Sequence, residues 1–170
     1  MHHDGRQKID HYFVVQPQYF GRPSFYLDPA TGKDYPDNDD RFNFFCRAVL
    51  GSLATLNWRP DIIHLHDWQA ALIPALLKYQ FANDNWVGQA KTVLTIHNLG
   101  YQGTFPATRF ARLELPEKLF YAMTGPFEFF GKVNFLKAGI MLADKLTTVS
   151  KQYATEIQST EEYGYGLEGV

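Results

Sequence analysis

Four side chains able to do chemistry fall within five positions: His64, His66, Asp67 and Trp68 close the apolar run in IIHLHDWQAA (62–71). On a strand successive side chains alternate, so His64 and His66 share one face. With Asp67 they raise the question of a metal. A structural zinc site takes four ligands, and His97 is the only other imidazole placed to join, so His64 reads first as a core histidine of the strand. Asp67 has an ordinary use as well, as the N-cap of a helix opening at Trp68. Two further polar positions stand out, His97-Asn98 and Ser150. GYGLEG (164–169) satisfies G-x-G-x-x-G literally. A dinucleotide loop needs a strand before it and a helix opening within it, whereas a helix and STEEY precede this one, so it is not such a loop. Neither a Walker sequence, nor G-x-S-x-G, nor H-E-x-x-H occurs, and no serine sits in a nucleophile elbow.

Elements of two kinds must position these residues. HYFVV (11–15), DIIHL (61–65), KTVLTI (91–96) and KLTTV (145–149) read as strands. Phe42, Phe45, Val49, Leu53 and Leu56 recur every three or four positions. That spacing predicts a helix over 39–57, capped by Asp37 or Asn38, with Asp39 and Asp40 in the first turn. Further helices are expected over 68–81 and 133–143, and after Ser150 as cap of KQYATEI. Two aromatic-rich loops, 16–38 and HNLGYQGTFP (97–106), lie between them, and loops of such length are commonly functional. Near-continuous apolar strands alternating with helices imply an α/β, Rossmann-like parallel sheet with helices on both faces. In such sheets ligands bind beyond the carboxyl ends of the strands. His66-Asp67-Trp68, His97-Asn98 and Ser150 all fall at such ends.

The totals agree with one globular unit. The chain has 170 residues, 45% hydrophobic and 20% charged, enough for one core and too few for two. A formal net charge of −2 gives no electrostatic footprint for nucleic acid or an anionic membrane. The single Cys46 excludes an internal disulfide and a cysteine-based zinc site. No apolar stretch approaches the length of a membrane span, and MHHDGRQKID has no signal-peptide core. Aromatic residues make up 16%, which reads first as a phenylalanine-rich core and second as rings that stack on sugars.

Six blocks in order, YFGRPSFY, DYPDNDDRFNFFCRA, RPDIIHLHDWQAALIPALL, TVLTIHNLGYQGTFP, NFLKAGIMLADKLTTVSKQYATEI and YGYGLEGV, resemble bacterial glycogen synthases and plant starch synthases. The resemblance runs from about residue 11 to the end. It implies a retaining glycosyltransferase that extends α-1,4-glucan from ADP-glucose on a GT-B fold, two Rossmann-like domains facing across a cleft. The chain would then be the interior of the N-terminal, acceptor-side domain. The family's opening K-T-G-G-L motif and its C-terminal nucleotide-sugar domain are not in this sequence, so the 170-residue polypeptide is expected to be inactive alone. The resemblance makes Asp67 and His97 the catalytic residues, Asp67 near the reacting sugar and His97 near its 6-position, and counts Asn98 and Tyr19 with them as substrate-binding, where the match at Tyr19 could slip to Phe20. It implies no cofactor and no metal, and a bacterial cytoplasm or a plastid stroma as the setting. A carboxylate suits a cationic, oxocarbenium-like transition state, while neutral imidazole and amide groups bind hydroxyls without adding positive charge. Trp68 is expected to pack beneath Asp67 rather than to stack on sugar. Two other readings remain: a glucan-binding module without catalysis, and a metal-dependent hydrolase on His64, His66 and Asp67.

Overall fold

The computed structural model describes residues 9–121 and 124–170. Along them the elements run α1 (Pro17–Phe20), α2 (Asn38–Thr55), β1 (Ile62–His66), α3 (Asp67–Ala70), α4 (Ile73–Tyr79), β2 (Lys91–Ile96) and β3 (Thr104–Pro106). A 3-10 segment (Ala107–Leu113), α5 (Lys118–Tyr121), β4 (Glu128–Phe129), β5 (Lys132–Asn134), α6 (Phe135–Leu142), β6 (Lys145–Thr148), α7 (Lys151–Glu156) and α8 (Glu161–Gly164) follow. The expected α/β class holds: a parallel sheet of order β1-β2-β6 is flanked by helices.

Alternation along the strands gives this sheet two unlike faces. Leu65 and Leu94 are buried against a core that includes Leu72, Leu76, Leu136 and Ala138 from the helices. His64, His66, Thr95 and Thr147 occupy the other face. There His64 Nε2 lies 2.7 Å from Thr95 Oγ1, and Thr95 Oγ1 lies 2.6 Å from Thr147 Oγ1. His64 is therefore an exposed member of a polar ladder, not the core histidine its apolar neighbours suggested.

Several expected elements are displaced, each for a local reason. HYFVV forms no strand: residues 9–15 are irregular, with Phe13 and Val15 85% and 81% exposed. β-Branched and aromatic residues favour a strand only when a neighbouring strand pairs with them, and among the described residues β1 pairs with β2 alone. The helix expected over 68–81 is two, because Pro74 has no N–H to continue α3 and instead sits in the first turn of α4. Residues 133 and 134 belong to β5, which joins β3 and β4 in a small antiparallel sheet that the sequence pattern did not show. Strands of two and three residues are too short to display an alternation.

The caps also divide. Ser150 accepts from Tyr153 N at 3.0 Å, and Asn134 accepts from Lys137 N at 2.8 Å, as N-caps do. Asp37 stands at the cap of α2 but makes no cap bond; its carboxylate takes Arg22 at 2.5 and 2.8 Å, which holds it below the ordinary carboxylate range. Arg22 thereby ties the loop of residues 21–37 back to the start of α2.

Candidate active site

Parallel strands β1 and β2 end side by side, with His66 opposite Thr95, so the residues just after each strand meet. The chain turns sharply at Asp67, whose φ of 58° lies in the left-handed region that aspartate tolerates better than most residues. The turn swings its carboxylate toward β2 instead of over the helix. Asp67 Oδ1 accepts the His97 backbone N–H at 2.7 Å and Oδ2 accepts from His97 Nδ1 at 3.0 Å. Asp67 is thus the first residue of α3 and no cap; His66 holds the cap position without a side-chain bond. The capping role expected of Asp67 is corrected accordingly.

The bond fixes the histidine as well as the aspartate. An ionised carboxylate only accepts, so Nδ1 carries the hydrogen and a neutral ring keeps a lone pair on Nε2. That side chain is 46% exposed, though it lines neither of the hollows that reach Asp67. His66 stacks between, 4.4 Å from the His64 ring and 5.3 Å from the His97 ring. Burial, then His64 and His97, lower its pKa, with Asp67 opposing. Among the described residues no three His, Cys, Asp or Glu side chains converge as a metal site requires.

A cavity of about 710 Å³ opens beside Asp67. Asp67, Trp68 and Asn98 line it from the strand ends, Tyr26 and Asp34 from the loop before α2, Asn38 from the first turn of α2, and Tyr101, Gln102 and Tyr165 from two later loops. Apart from Asp34 and Asp67 the lining is uncharged, which suits hydroxyl groups better than phosphate. Trp68 forms the floor, 7% exposed and edge-on to Phe42 at 4.7 Å. It is packed among Phe42, Tyr26 and Phe105, as a core ring is. Asn98 accepts from Gly100 N at 2.9 Å, which leaves its amide nitrogen as a donor at the cavity.

Asp67, His97 and Asn98 therefore come together. Tyr19 stands apart: its ring lies 5.3 Å from Phe44, and it lines neither this cavity nor a second hollow of about 680 Å³ that also reaches Asp67. Its neighbour Phe20 does line that second hollow. Ser150 acts at one remove, since the helix it caps presents Tyr153, whose hydroxyl accepts from Leu99 N at 2.9 Å and steadies the turn after His97. The sequence pattern missed Arg41, buried at 2% exposure. It donates to Tyr19 O and Phe25 O at 2.8 Å and to Asn38 Oδ1 at 2.5 Å. Burial lowers its pKa. It also missed Gln102, which takes Asn134 at 2.6 Å and reaches Tyr165 O at 3.2 Å. An arginine on the apolar side of a helical repeat was the available signal for the first; for Gln102 there was none.

A parallel sheet flanked by helices, with a cavity at the carboxyl edge of its strands, is the arrangement of a Rossmann-like domain. Comparison gives the family: the starch synthase catalytic domain matches residues 1–170, and the chain belongs to that family. A glycogen synthase of Koribacter versatilis is 51% identical over 162 residues, 95% of this chain and 32% of that protein. Glycogen synthase 2 of Geobacter metallireducens is 48% identical over 159 residues, 94% of this chain and 32% of that protein. The catalytic domain of Starch Synthase IV from Arabidopsis thaliana, bound to ADP and acarbose, matches with a TM-score of 0.74 at 33% identity. That match covers 90% of this chain and 30% of the other. The chain spans about a third of the length of these relatives.

Proposed function

We propose that residues 1–170 form part of the N-terminal, acceptor-side domain of a retaining glycosyltransferase. It transfers glucose from ADP-glucose to the non-reducing end of an α-1,4-glucan. The observation that carries the reading is the pair of hydrogen bonds from His97 to Asp67, whose side chain lines an almost uncharged cavity. The family and its glycogen synthase relatives support it, as does a relative whose structure holds ADP and acarbose.

In this reading His97 Nε2 accepts a hydrogen bond from a hydroxyl of the transferred glucose, and Asn98 donates one to a neighbouring oxygen. Asp67 holds the imidazole in that tautomer, and its negative charge lies near the cationic sugar of the transition state. Tyr19 contributes to the acceptor side through the loop that Arg41 gathers. ADP-glucose and α-glucan are the partners; neither nucleic acid nor a membrane has a role, and the reading calls for no cofactor. No helix among the described residues is long and apolar enough to cross a membrane.

A transition state held from two sides of a cleft loses most of its stabilisation when one side is missing. The 170-residue polypeptide alone is therefore expected to transfer no glucose, though it could still bind glucan as a module without catalysis. The test is incorporation of labelled glucose from ADP-glucose into glycogen, by the full-length protein and by residues 1–170. Product from the full-length protein only is expected. Turnover by the short polypeptide would overturn the division of the site, and no α-1,4-linked product from either would overturn the function.

A further inference from the structure

The β4–β5 hairpin closes with a two-residue loop, Phe130-Gly131, both at positive φ (49° and 76°). Loops of this kind favour asparagine, aspartate or glycine at the first position, because a side chain branching into a bulky ring is strained there. Phe130 is nevertheless 81% exposed, so burial does not offset the strain. Its ring meets Phe129 edge-on at 4.7 Å and borders Gly166. A residue that the turn disfavours and the core does not use marks a surface kept for something else.

Its position indicates what. Tyr165, next to Gly166, is 53% exposed and lines the Asp67 cavity, and its ring lies over Gly100. Tyr101, 68% exposed, lines the same cavity. Tyr165 thus links the cavity to the hairpin tip through Gly166, which borders Phe130, and phenolic hydroxyls and the Gln102 amide lie along the same stretch. Rings with polar groups between them suit a neutral polyhydroxyl chain, whose sugar faces stack while its rim hydroxyls hydrogen-bond.

We infer that Phe130, with Tyr165 and Tyr101, is a stacking platform for the outer units of an α-glucan whose terminal unit lies at Asp67. The inference rests on the glucan reading above and adds to it a site that selects for chain length. A contact with another protein surface is the competing use of the same rings, but it would not require continuity with the cavity.

The test uses the full-length protein that carries this chain, with maltotriose and maltoheptaose as probes in titration calorimetry. Phe130→Asn gives the turn a residue it prefers, so the melting temperature should hold or rise and unfolding cannot explain a loss. Maltoheptaose affinity should fall by about threefold to tenfold, the range of a lost aromatic contact, and maltotriose affinity should not change. Phe130→Tyr should retain the wild-type values. Equal maltoheptaose affinity in wild type and Phe130→Asn would overturn the platform. The same result with an altered sedimentation coefficient would assign the hairpin to a protein contact. Wild-type protein that binds neither sugar would overturn the glucan reading as a whole.

Discussion

Both oxygens of Asp67 are engaged by His97, so the two residues act as one unit. Asparagine at 67 could keep the positive φ, but its amide NH₂ would face one of two N–H donors on His97. In the full-length protein, Asp67→Asn should lower kcat by roughly 100-fold, as loss of other preorganised electrostatic groups does. Since both partners are partly exposed, the stability cost should stay near about 1 kcal/mol. Wild-type turnover in a folded variant would reduce Asp67 to a structural residue. His66 makes a second claim at this scale. Its folded pKa lies below the ordinary 6.5 because burial, and then the neighbouring His64 and His97 rings, favour neutral imidazole despite Asp67 nearby. That stability is present above the unfolded value and lost as pH falls through the folded one. The melting temperature should therefore drop between pH 7 and pH 5, and His66→Gln should flatten the drop. An unchanged slope in thermal melts of His66→Gln would show that another group governs it.

Among the elements, the loop before α2 is held by two arginines, Arg22 through Asp37 and Arg41 through the loop's carbonyls. Arg41 lies under it and donates to two of its carbonyls and to Asn38, which itself donates to Tyr26 O at 3.1 Å. Tyr26 and Asn38 are cavity residues, so the guanidinium sets one cavity wall from below. Lysine keeps the charge without the planar fork, leaving a buried carbonyl unpaired and a cation poorly satisfied. Arg41→Lys should cost about 2–4 kcal/mol in thermal or denaturant unfolding. It should also raise KM for glucan more than it lowers kcat in the full-length protein; a loss confined to kcat would contradict a wall-setting role. On the opposite wall, Gly103 has a φ of 62° and a Cβ there would stand 2.3 Å from Trp68 Cε3. Gly103→Ala should move the Trp68 indole and reduce both stability and turnover, the stability by about 1–3 kcal/mol. Unchanged Trp fluorescence and melting temperature would refute that contact.

For the molecule as a whole, the distribution of exposed apolar residues is uneven. Phe13, Val15 and Phe25 are each more than 80% exposed, and Phe13 and Phe25 border the hollow beside β1. β1 is an edge of its sheet among the described residues, and an open edge next to apolar surface favours pairing between chains. A polypeptide of residues 1–170 should therefore self-associate in sedimentation velocity at micromolar concentration. A sharply monomeric species with one cooperative melt would contradict this.

The α/β class, the limits of β2, the first turn of α2, the cap at Ser150 and the grouping of Asp67, His97 and Asn98 at strand ends were all legible in the order of residues. These follow from period, cap chemistry and the rule that parallel strands deliver their carboxyl ends to one edge. It also carried the family, through six blocks in order. Tertiary structure alone decided that Asp67 ligates His97 rather than caps a helix, because the choice depends on a backbone turn at φ 58° that brings a second strand's end within reach. It alone exposed His64, since strand alternation gives a face but not what covers it. HYFVV, a strand by composition, stayed irregular for want of a partner, and the small β3-β5-β4 sheet arose from pairings too short to mark the sequence. Local propensity fixes what a segment can become, while pairing and burial, which depend on residues far along the chain, fix what it does become.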